Sequence, residues 1–334
     1  MEDPGAANCV ADLPRALQDV NLESVILTDG LAHDHLDAMG IGSTRVSSTQ
    51  DAVSILKKFN PRVVLVGTAS NPDTIGLDLV CCARKRGVPS VGVIDLPVGA
   101  DRRFRGRSSD PMAYAPDRVG VPDVYTRDQF LAVGFPPERL VVIGHPHYDY
   151  IRSVRKRMGP ETDTGVISQP RQSIVFATEG SARIATQKGT GGFGLVGRGG
   201  DGRTEVALES FLDAVSKLSH SPYMVLRLHP KDRVSDYDAY INEFDQVSEG
   251  GSSHALIFRA DAVVGITSMI LVESVLFGTR TLSILPRQHE GDWCPSIRAG
   301  LTPYASKRCE VEAGVRALVN LKEAPISEAR LDEV

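Results

Sequence analysis

The chain has 334 residues, of which 42% are hydrophobic and 24% charged, a globular balance whose length suits two domains of roughly 150 residues each. A formal charge of -5 provides no general basic field for a nucleic-acid backbone, so no nucleic-acid partner is expected. The 5 cysteines include no Cys-x-x-Cys pair, which argues against a zinc ribbon or a disulfide framework.

Taken in chain order, short Val/Ile/Leu runs alternate with amphipathic segments of helical length, the pattern of a parallel sheet covered on both faces. The turn-like segment Asp3-Pro4-Gly5-Ala6-Ala7-Asn8 reads as the loop after a first strand, with only Met1 and Glu2 ahead of it. A helix is expected over Val10–Val20, a strand over Ser24–Thr28, a helix over Gln50–Phe59 and a strand over Arg62–Gly67. Next come a helix over Asp73–Arg86, stopped by Gly87 and Pro89, and strands at Ser90–Ile94, Asp123–Thr126 and Arg139–Ile143. Cys81 and Cys82 are expected as buried small hydrophobes within the Asp73–Arg86 helix. Local basic clusters at Arg102–Arg107 and Arg152–Arg157 read as solvated faces.

The aperiodic stretch from Arg155 to Arg171 reads as a linker. The alternation then restarts with a strand at Ser173–Ala177, a helix at Thr204–Leu218 and a strand at Tyr223–Leu228. A short strand at Ala262–Val264, a helix over Ser268–Phe277, a strand at Thr281–Leu285 and a helix near Glu310–Leu321 complete it. The expected fold is α/β, with two Rossmann-like doubly wound domains facing across a cleft. The N-terminal domain spans 1–154, the linker 155–171, the C-terminal domain 172–322 and the tail 323–334. Such sheets take ligands beyond the C-terminal ends of their strands. No signal segment or apolar run of ~18 residues is seen, so no membrane span is expected and the cytoplasm is the expected address.

Three motifs bear on chemistry. Gly192-Phe193-Gly194-Leu195-Val196-Gly197 satisfies the dinucleotide fingerprint literally. It does not turn directly from strand into helix, so a mobile loop is expected there. Leu228-His229-Pro230-Lys231 ends a strand with an imidazole at the ligand edge, and Pro230 biases His229 towards extended backbone. Gly265-Ile266-Thr267-Ser268 follows an apolar strand and opens a helix. Ser268 is placed as its N-cap, and the first N–H groups with the helix dipole make an anion site. Glu273, five residues on, can accept hydrogen bonds from sugar hydroxyls.

This order of strand, His-Pro, and Thr-Ser at a helix start with a following Glu resembles the donor half of GT-B glycosyltransferases. It is similar also to non-hydrolysing UDP-N-acetylglucosamine 2-epimerases and to teichoic-acid and capsule polymerases. The resemblance implies that Ser268 and the adjacent Thr267 and Met269 hold a diphosphate, that Glu273 holds the ribose, and that His229, with Pro230 shaping its turn, meets phosphate. In the first half, Val64–Ser70, Gly144–Asp149 and the Asp3–Asn8 loop resemble segments of GT-B-like proteins. This implies an acceptor side at Gly5 and Asn8. Two positions depart from the pattern: the first strand is either absent or lies ahead of Met1, and Ile270 stands where the epimerases keep a second glycine.

Sugar transfer requires a base for the acceptor and groups that stabilise the leaving diphosphate. Asp95 at the end of Val91–Ile94 is the first candidate base and Asp3 the second. Glu179 in Thr178-Glu179-Gly180 is the third, and that motif resembles the acidic-Gly motif of bacterial sialyltransferases. His33 and His35 stand at i, i+2, a spacing that does not share a helix face, so no metal site is expected there. The resulting expectation is a metal-independent glycosyltransferase without a cofactor, acting on a nucleotide-sugar donor and a small-molecule or glycan acceptor. The alternatives are a nucleotide-sugar epimerase or hydrolase on the same fold, and a non-catalytic nucleotide-sugar-binding partner protein. Assembly as a homo-oligomer is left open by the sequence.

Overall fold

The structure, a computed structural model, describes residues 1–46, 51–68, 71–158, 171–180, 194–199 and 202–320. The chain divides into two compact units, Met1–Tyr150 and Ile151–Val334. Most of the expected linker and all of the expected tail lie outside the described residues.

Unit 1 opens with helices α1 (Pro4–Asn8) and α2 (Leu13–Gln18), followed by β1 (Leu27–Thr28), α3 (Leu31–Ala38) and β2 (Thr44–Arg45). Then come α4 (Ala52–Phe59), β3 (Val64–Gly67), α5 (Ile75–Lys85), β4 (Ser90–Val93), β5 (Arg118–Val121), α6 (Val124–Ala132) and β6 (Leu140–Val142). Strands β3-β4-β5-β6 form one parallel sheet in that order, and β1 pairs with β2 in a second. Helix α7 (Pro146–Arg157) carries the chain across the unit boundary, so Arg155–Arg157, expected as the start of a linker, are helical.

Residues 1 and 2 run beside β1 without forming a strand of their own. The Met1 ammonium donates to the Leu27 carbonyl at 2.8 Å and the Asp29 N–H donates to the Met1 carbonyl at 2.8 Å. The Ala32 N–H reaches Glu2 at 3.0 Å. This is parallel-ladder bonding without length. The Asp3–Asn8 segment, expected as a loop, is a helix instead. Asp3 has extended backbone at the N-cap position and Pro4 occupies the first helical position, where its fixed φ suits a helix and its missing N–H is not needed.

The expected strand at Asp123–Thr126 is also corrected. Asp123 caps α6, its carboxylate accepting the Thr126 N–H at 2.6 Å. The β-branched residues that follow therefore start a helix, and the strand lies earlier, at Arg118–Val121. Cys81 and Cys82 are half-buried rather than buried. The core between sheet and helices includes Phe104, Phe130 and Phe135, whose ring centroids lie 5.0 to 6.2 Å apart.

Unit 2 contains β7 (Ser173–Ala177), α8 (Arg203–Val215), β8 (Tyr223–Arg227), β9 (Gln246–Ser248), α9 (His254–Arg259) and β10 (Ala262–Gly265). It continues with α10 (Met269–Phe277), β11 (Arg280–Ile284), α11 (Pro295–Arg298), β12 (Tyr304–Ala305) and α12 (Arg308–Asn320). Its parallel sheet runs β12-β11-β10-β7-β8-β9. All five residues of β7 are buried, as expected of a central strand covered on both faces. Because the strands are parallel, the tips of β7, β8 and β10 lie on one edge, with β7 between the other two.

Gly192 and Phe193 lie outside the described residues, but the remainder of the fingerprint-like segment is not a free loop. The Gly194 N–H donates to the Pro286 carbonyl at 2.7 Å and Leu195 joins the core. Arg198 pairs with Asp213 at 2.7 Å and Glu243 at 2.6 Å. Apolar burial and these ion pairs hold a glycine-rich stretch that its composition suggested would move.

Truncating Phe130 to Ala should cost unit 1 about 3–5 kcal/mol, the range for a large buried aromatic. Hydrogen exchange checks this: amides of β3 to β6 should lose protection while those of β7, β8 and β10 keep theirs.

Candidate functional site

The best-defined constellation lies at the strand tips of unit 2. The three residues after β7 each fix a different neighbour. Thr178 accepts the His229 N–H at 2.8 Å and donates its own hydroxyl to Asp232 at 2.7 Å. Asp232 also accepts the Tyr237 hydroxyl at 2.8 Å. Burial, reinforced by the Asp232 charge, raises the pKa of that phenol well above its ordinary value, so Tyr237 keeps its proton and acts as a donor.

Glu179 faces the other way, towards β10. Its carboxylate accepts the Thr267 N–H and the Thr267 hydroxyl and pairs with Arg203. Gly180 leaves room for the imidazole, since a Cβ there would lie 2.9 Å from His229 Nδ1. Only glycine allows the β7 tip to pass that close to the ring.

Arg203 is 1% exposed and joins three groups. Nε donates to Glu290 at 2.8 Å, one terminal nitrogen meets Glu179, and the other donates to Thr267 Oγ1 at 2.8 Å. Arg287 closes the chain on the far oxygen of Glu290, at 2.5 Å from Nε. The guanidinium of Arg203 also lies 5.6 Å from the Trp293 ring centroid. Burial opposes its charge, and the two carboxylates outweigh burial and raise its proton affinity. The order Glu179–Arg203–Glu290–Arg287 alternates in sign and sums to zero. A buried ionic chain of this kind contributes little net stability over apolar packing, so its effect is positional.

The residues that the sequence assigns to a ligand adjoin this frame. His229 is half-buried, and its Nδ1 accepts the Lys231 N–H at 3.2 Å. The ring proton of the neutral imidazole is therefore on Nε2, the donor that an incoming oxyanion would meet. Pro230 is exposed and shapes the turn in which the Asp232 N–H donates to the His229 carbonyl at 2.9 Å.

Ser268 caps α10 with extended backbone, accepting the Ile270 N–H over a long 3.5 Å. Met269 and Ile270 supply the first N–H groups of the helix. Glu273, just over a turn in, is 7% exposed, with Ser253 Oγ 3.5 Å from its carboxylate. Burial lowers the Arg227 guanidinium, and the Glu273 charge works against that shift. Neighbouring strands lie about 4.8 Å apart, so His229 and Ser268, on strands flanking β7, start about 10 Å apart.

Two expectations for this edge change. Thr267 was read as a ligand to phosphate, but its N–H and hydroxyl are both engaged by Glu179 and Arg203, which makes it part of the frame. Glu179 was read as a base, but both its oxygens are held by the same partners.

Asp95 is 9% exposed at the tip of β4 in unit 1. Its Oδ1 accepts Arg103 at 2.9 Å and the Leu96 N–H at 3.0 Å. Arg103 extends to Thr68 at the tip of β3, 3.0 Å away. Gly5 packs so close that a Cβ would lie 2.3 Å from Asp95 Oδ2. The structure thus brings Gly5 and Asp95 together, with Asp95 as an ion-paired strut rather than an open base. Asp3 is at the head of α1. Asn8 Oδ1 lies 2.6 Å from His35 Nε2, an internal hydrogen bond in place of an acceptor contact. His33 bonds elsewhere, to Thr28 at 3.1 Å and Ser43 at 3.0 Å. Cys9 also lies on this edge, with Sγ 3.9 Å from His145 Nε2. Burial, with Asp95 nearby, pushes its thiol well above the ordinary range.

The sequence reading missed Arg203, Glu290 and Asp232. The only local signal was an arginine at a helix start after a glycine-rich stretch.

No protein-family profile and no curated protein matches the sequence. Solved structures match over nearly the whole chain. S. aureus MnaA, solved with UDP, aligns with TM-score 0.67 at 13% identity, over 100% of this chain and 88% of that one. The UDP-GlcNAc 2-epimerase of Methanocaldococcus jannaschii aligns with TM-score 0.65 at 10% identity, over 97% and 93%. The Neisseria meningitidis UDP-GlcNAc 2-epimerase, solved with UDP-GlcNAc, aligns with TM-score 0.64 at 14% identity, over 99% and 92%. At these identities the likeness defines the fold: this is a GT-B protein, structurally related to the UDP-GlcNAc 2-epimerases. No helix among the described residues is long and apolar enough to cross a membrane.

Two outcomes follow. Arg203→Met leaves Glu179 without a counter-charge and Glu290 with Arg287 alone, and should destabilise unit 2 by about 3–5 kcal/mol, read by denaturant unfolding. Alkylation of the native protein near pH 8 should label exposed Cys309 and spare buried Cys9 and Cys294 until denaturant is added, read by peptide mass mapping.

Proposed function

We propose that the chain binds a nucleoside diphosphate sugar at the C-terminal edge of the unit 2 sheet and acts as a nucleotide-sugar epimerase. The observation that carries this reading is the frame at the β7 tip. Thr178 and Gly180 position His229 on one side, while Glu179 positions the Thr267–Ser268 turn on the other.

A diphosphate placed there meets Ser268, the first N–H groups of α10 and the Nε2–H of His229, all of which favour anionic oxygen. These donors become more valuable as charge builds on a departing diphosphate, so they favour cleavage of its bond to the sugar. Glu273, set back in the same helix, suits the paired hydroxyls of a ribose. Met269 contributes its N–H, and Thr267, Glu179 and Arg203 act behind these contacts.

The solved proteins of the same fold support epimerisation over transfer, because those named are UDP-GlcNAc 2-epimerases or hold UDP. Glycosyl transfer is the second reading, favoured by Ile270 at the position where the resemblance calls for a second glycine. On that reading neither Asp95 nor Glu179 serves as an open acceptor base, since both are ion-paired.

Epimerisation at C2 replaces the C2 hydrogen, whereas transfer leaves C2 untouched and consumes an acceptor. With UDP-GlcNAc in D2O, proton NMR should show deuterium entering C2 together with a 2-epimer, with no acceptor added. Ser268→Ala and Glu273→Ala should each weaken UDP binding by about tenfold or more in calorimetry, the loss of a hydrogen bond to a charged partner. UDP release only on adding an acceptor would move the assignment to transfer. Binding without turnover would leave a nucleotide-sugar binder, and unchanged UDP affinity in both variants would remove the site.

A further inference from the structure

The cations of unit 1 divide sharply by position. Arg15, Arg45, Arg102, Arg103, Arg105, Arg107 and Arg127 each have an aspartate within 4.0 Å. The other five arginines of the unit have none among the described residues, and all five lie at the N-terminal edge of the β3–β6 sheet. Arg62 enters β3, Arg84 and Arg86 end the helix that leads into β4, and Arg118 and Arg139 enter β5 and β6. The three lysines of the unit, Lys57, Lys58 and Lys85, lie on the same edge, at the ends of α4 and α5. All eight are exposed except Arg139, which is half-buried.

Among the described residues, Asp117 and Glu138 are the acids of the turns leading into these strands; Asp117 feels the charges of Arg84 and Arg139, and Asp51 that of Lys57. Asp117 is engaged by the Ser90 N–H and hydroxyl, both at 2.8 Å. Complementing helix dipoles accounts for cations at the ends of α4 and α5, but not for Arg62, Arg118 and Arg139 at strand starts. The edge is nearly level, because the register sets Val64 beside Ser90, Val91 beside Arg118 and Val119 beside Leu140. Four strands span about 14 Å. Val63, 53% exposed, stands in the row.

We propose that this edge docks the protein on an anionic lipid surface. The row is only about 14 Å long on a chain of net charge -5, which suits a surface met at one edge better than a long polyanion. A plane touches one face only, and the asymmetry would then set the protein's orientation. Exposed cations without a carboxylate within 4.0 Å among the described residues release counterions on contact, and an exposed valine among them suits a headgroup layer better than open water.

The test is flotation of the full chain with vesicles of phosphatidylcholine alone or with about 30% phosphatidylglycerol, at about 0.05 and 0.3 M salt. Binding should require the anionic lipid and fall steeply at the higher salt. Each cation brought to such a surface strengthens partitioning about fivefold, so Lys58→Glu with Lys85→Glu and Arg86→Glu should weaken it about a hundredfold or more. Arg62→Glu with Arg118→Glu is an independent second variant, and Arg107→Glu, at a paired site, should leave it unchanged. Hydrogen-exchange protection of the β3 to β6 amides should persist in every variant and reports that unit 1 is folded. Equal flotation on both vesicles, equal binding by folded variants, or preference for duplex DNA over the vesicles would each overturn the proposal.

Discussion

The carboxylate of Glu179 is the constraint on which the unit 2 site depends. It holds the Thr267 turn against β7 through a backbone N–H and a hydroxyl, and it is held in place by Arg203. Taking charges out of water costs several kcal/mol per ion unless each finds a partner. Here the chain alternates through Glu290 to Arg287, so no member is left alone. The result is a rigid frame that fixes where α10 begins. A helix start binds an anion usefully only if its first N–H groups are held still.

Unit 1 uses the same solution. Asp95 follows β4 and is caught by Arg103, which ties it to Thr68 at the next strand tip. In both units, the acid at a strand tip that most invites a catalytic reading is locked by an arginine from a later segment. The chemistry of the proposed site therefore rests on neutral donors and helix N–H groups rather than on a free carboxylate.

How much of this was legible depended on whether the interaction was local. Ser173–Ala177 announces itself as an unbroken apolar run, and Ser268 as a cap, because both signals lie within a few residues. Asp123 misled the reading because a capping aspartate and a β-branched run look like a strand entry until the cap bond to Thr126 is known. Helix α3 was hidden by its polar composition, since Leu31–Ala38 includes two histidines and two aspartates. The contacts of Arg203 could not be read at all. Glu290 lies 87 residues away and Glu179 24, and no periodicity connects them. Gly180 and Gly5 were visible as glycines, but the side chains that require them, His229 and Asp95, come from distant strands.

The sheet order also constrains how the chain reaches this state. β7 pairs first with β8, about fifty residues on, and its other side waits for β10, where Val263 lies beside Val175. On a ribosome, unit 1 is complete before any of this begins. Until β10 emerges, one edge of β7 has no partner, and Glu179 and Arg203 face a gap where Thr267 will sit. Long loop closures are slow steps, so the proposed binding edge takes shape only once β10 has paired with β7. During synthesis, the nascent chain carries the apolar flank of β7 uncovered for longer than any other strand of its sheet, and that flank is where a chaperone would be needed.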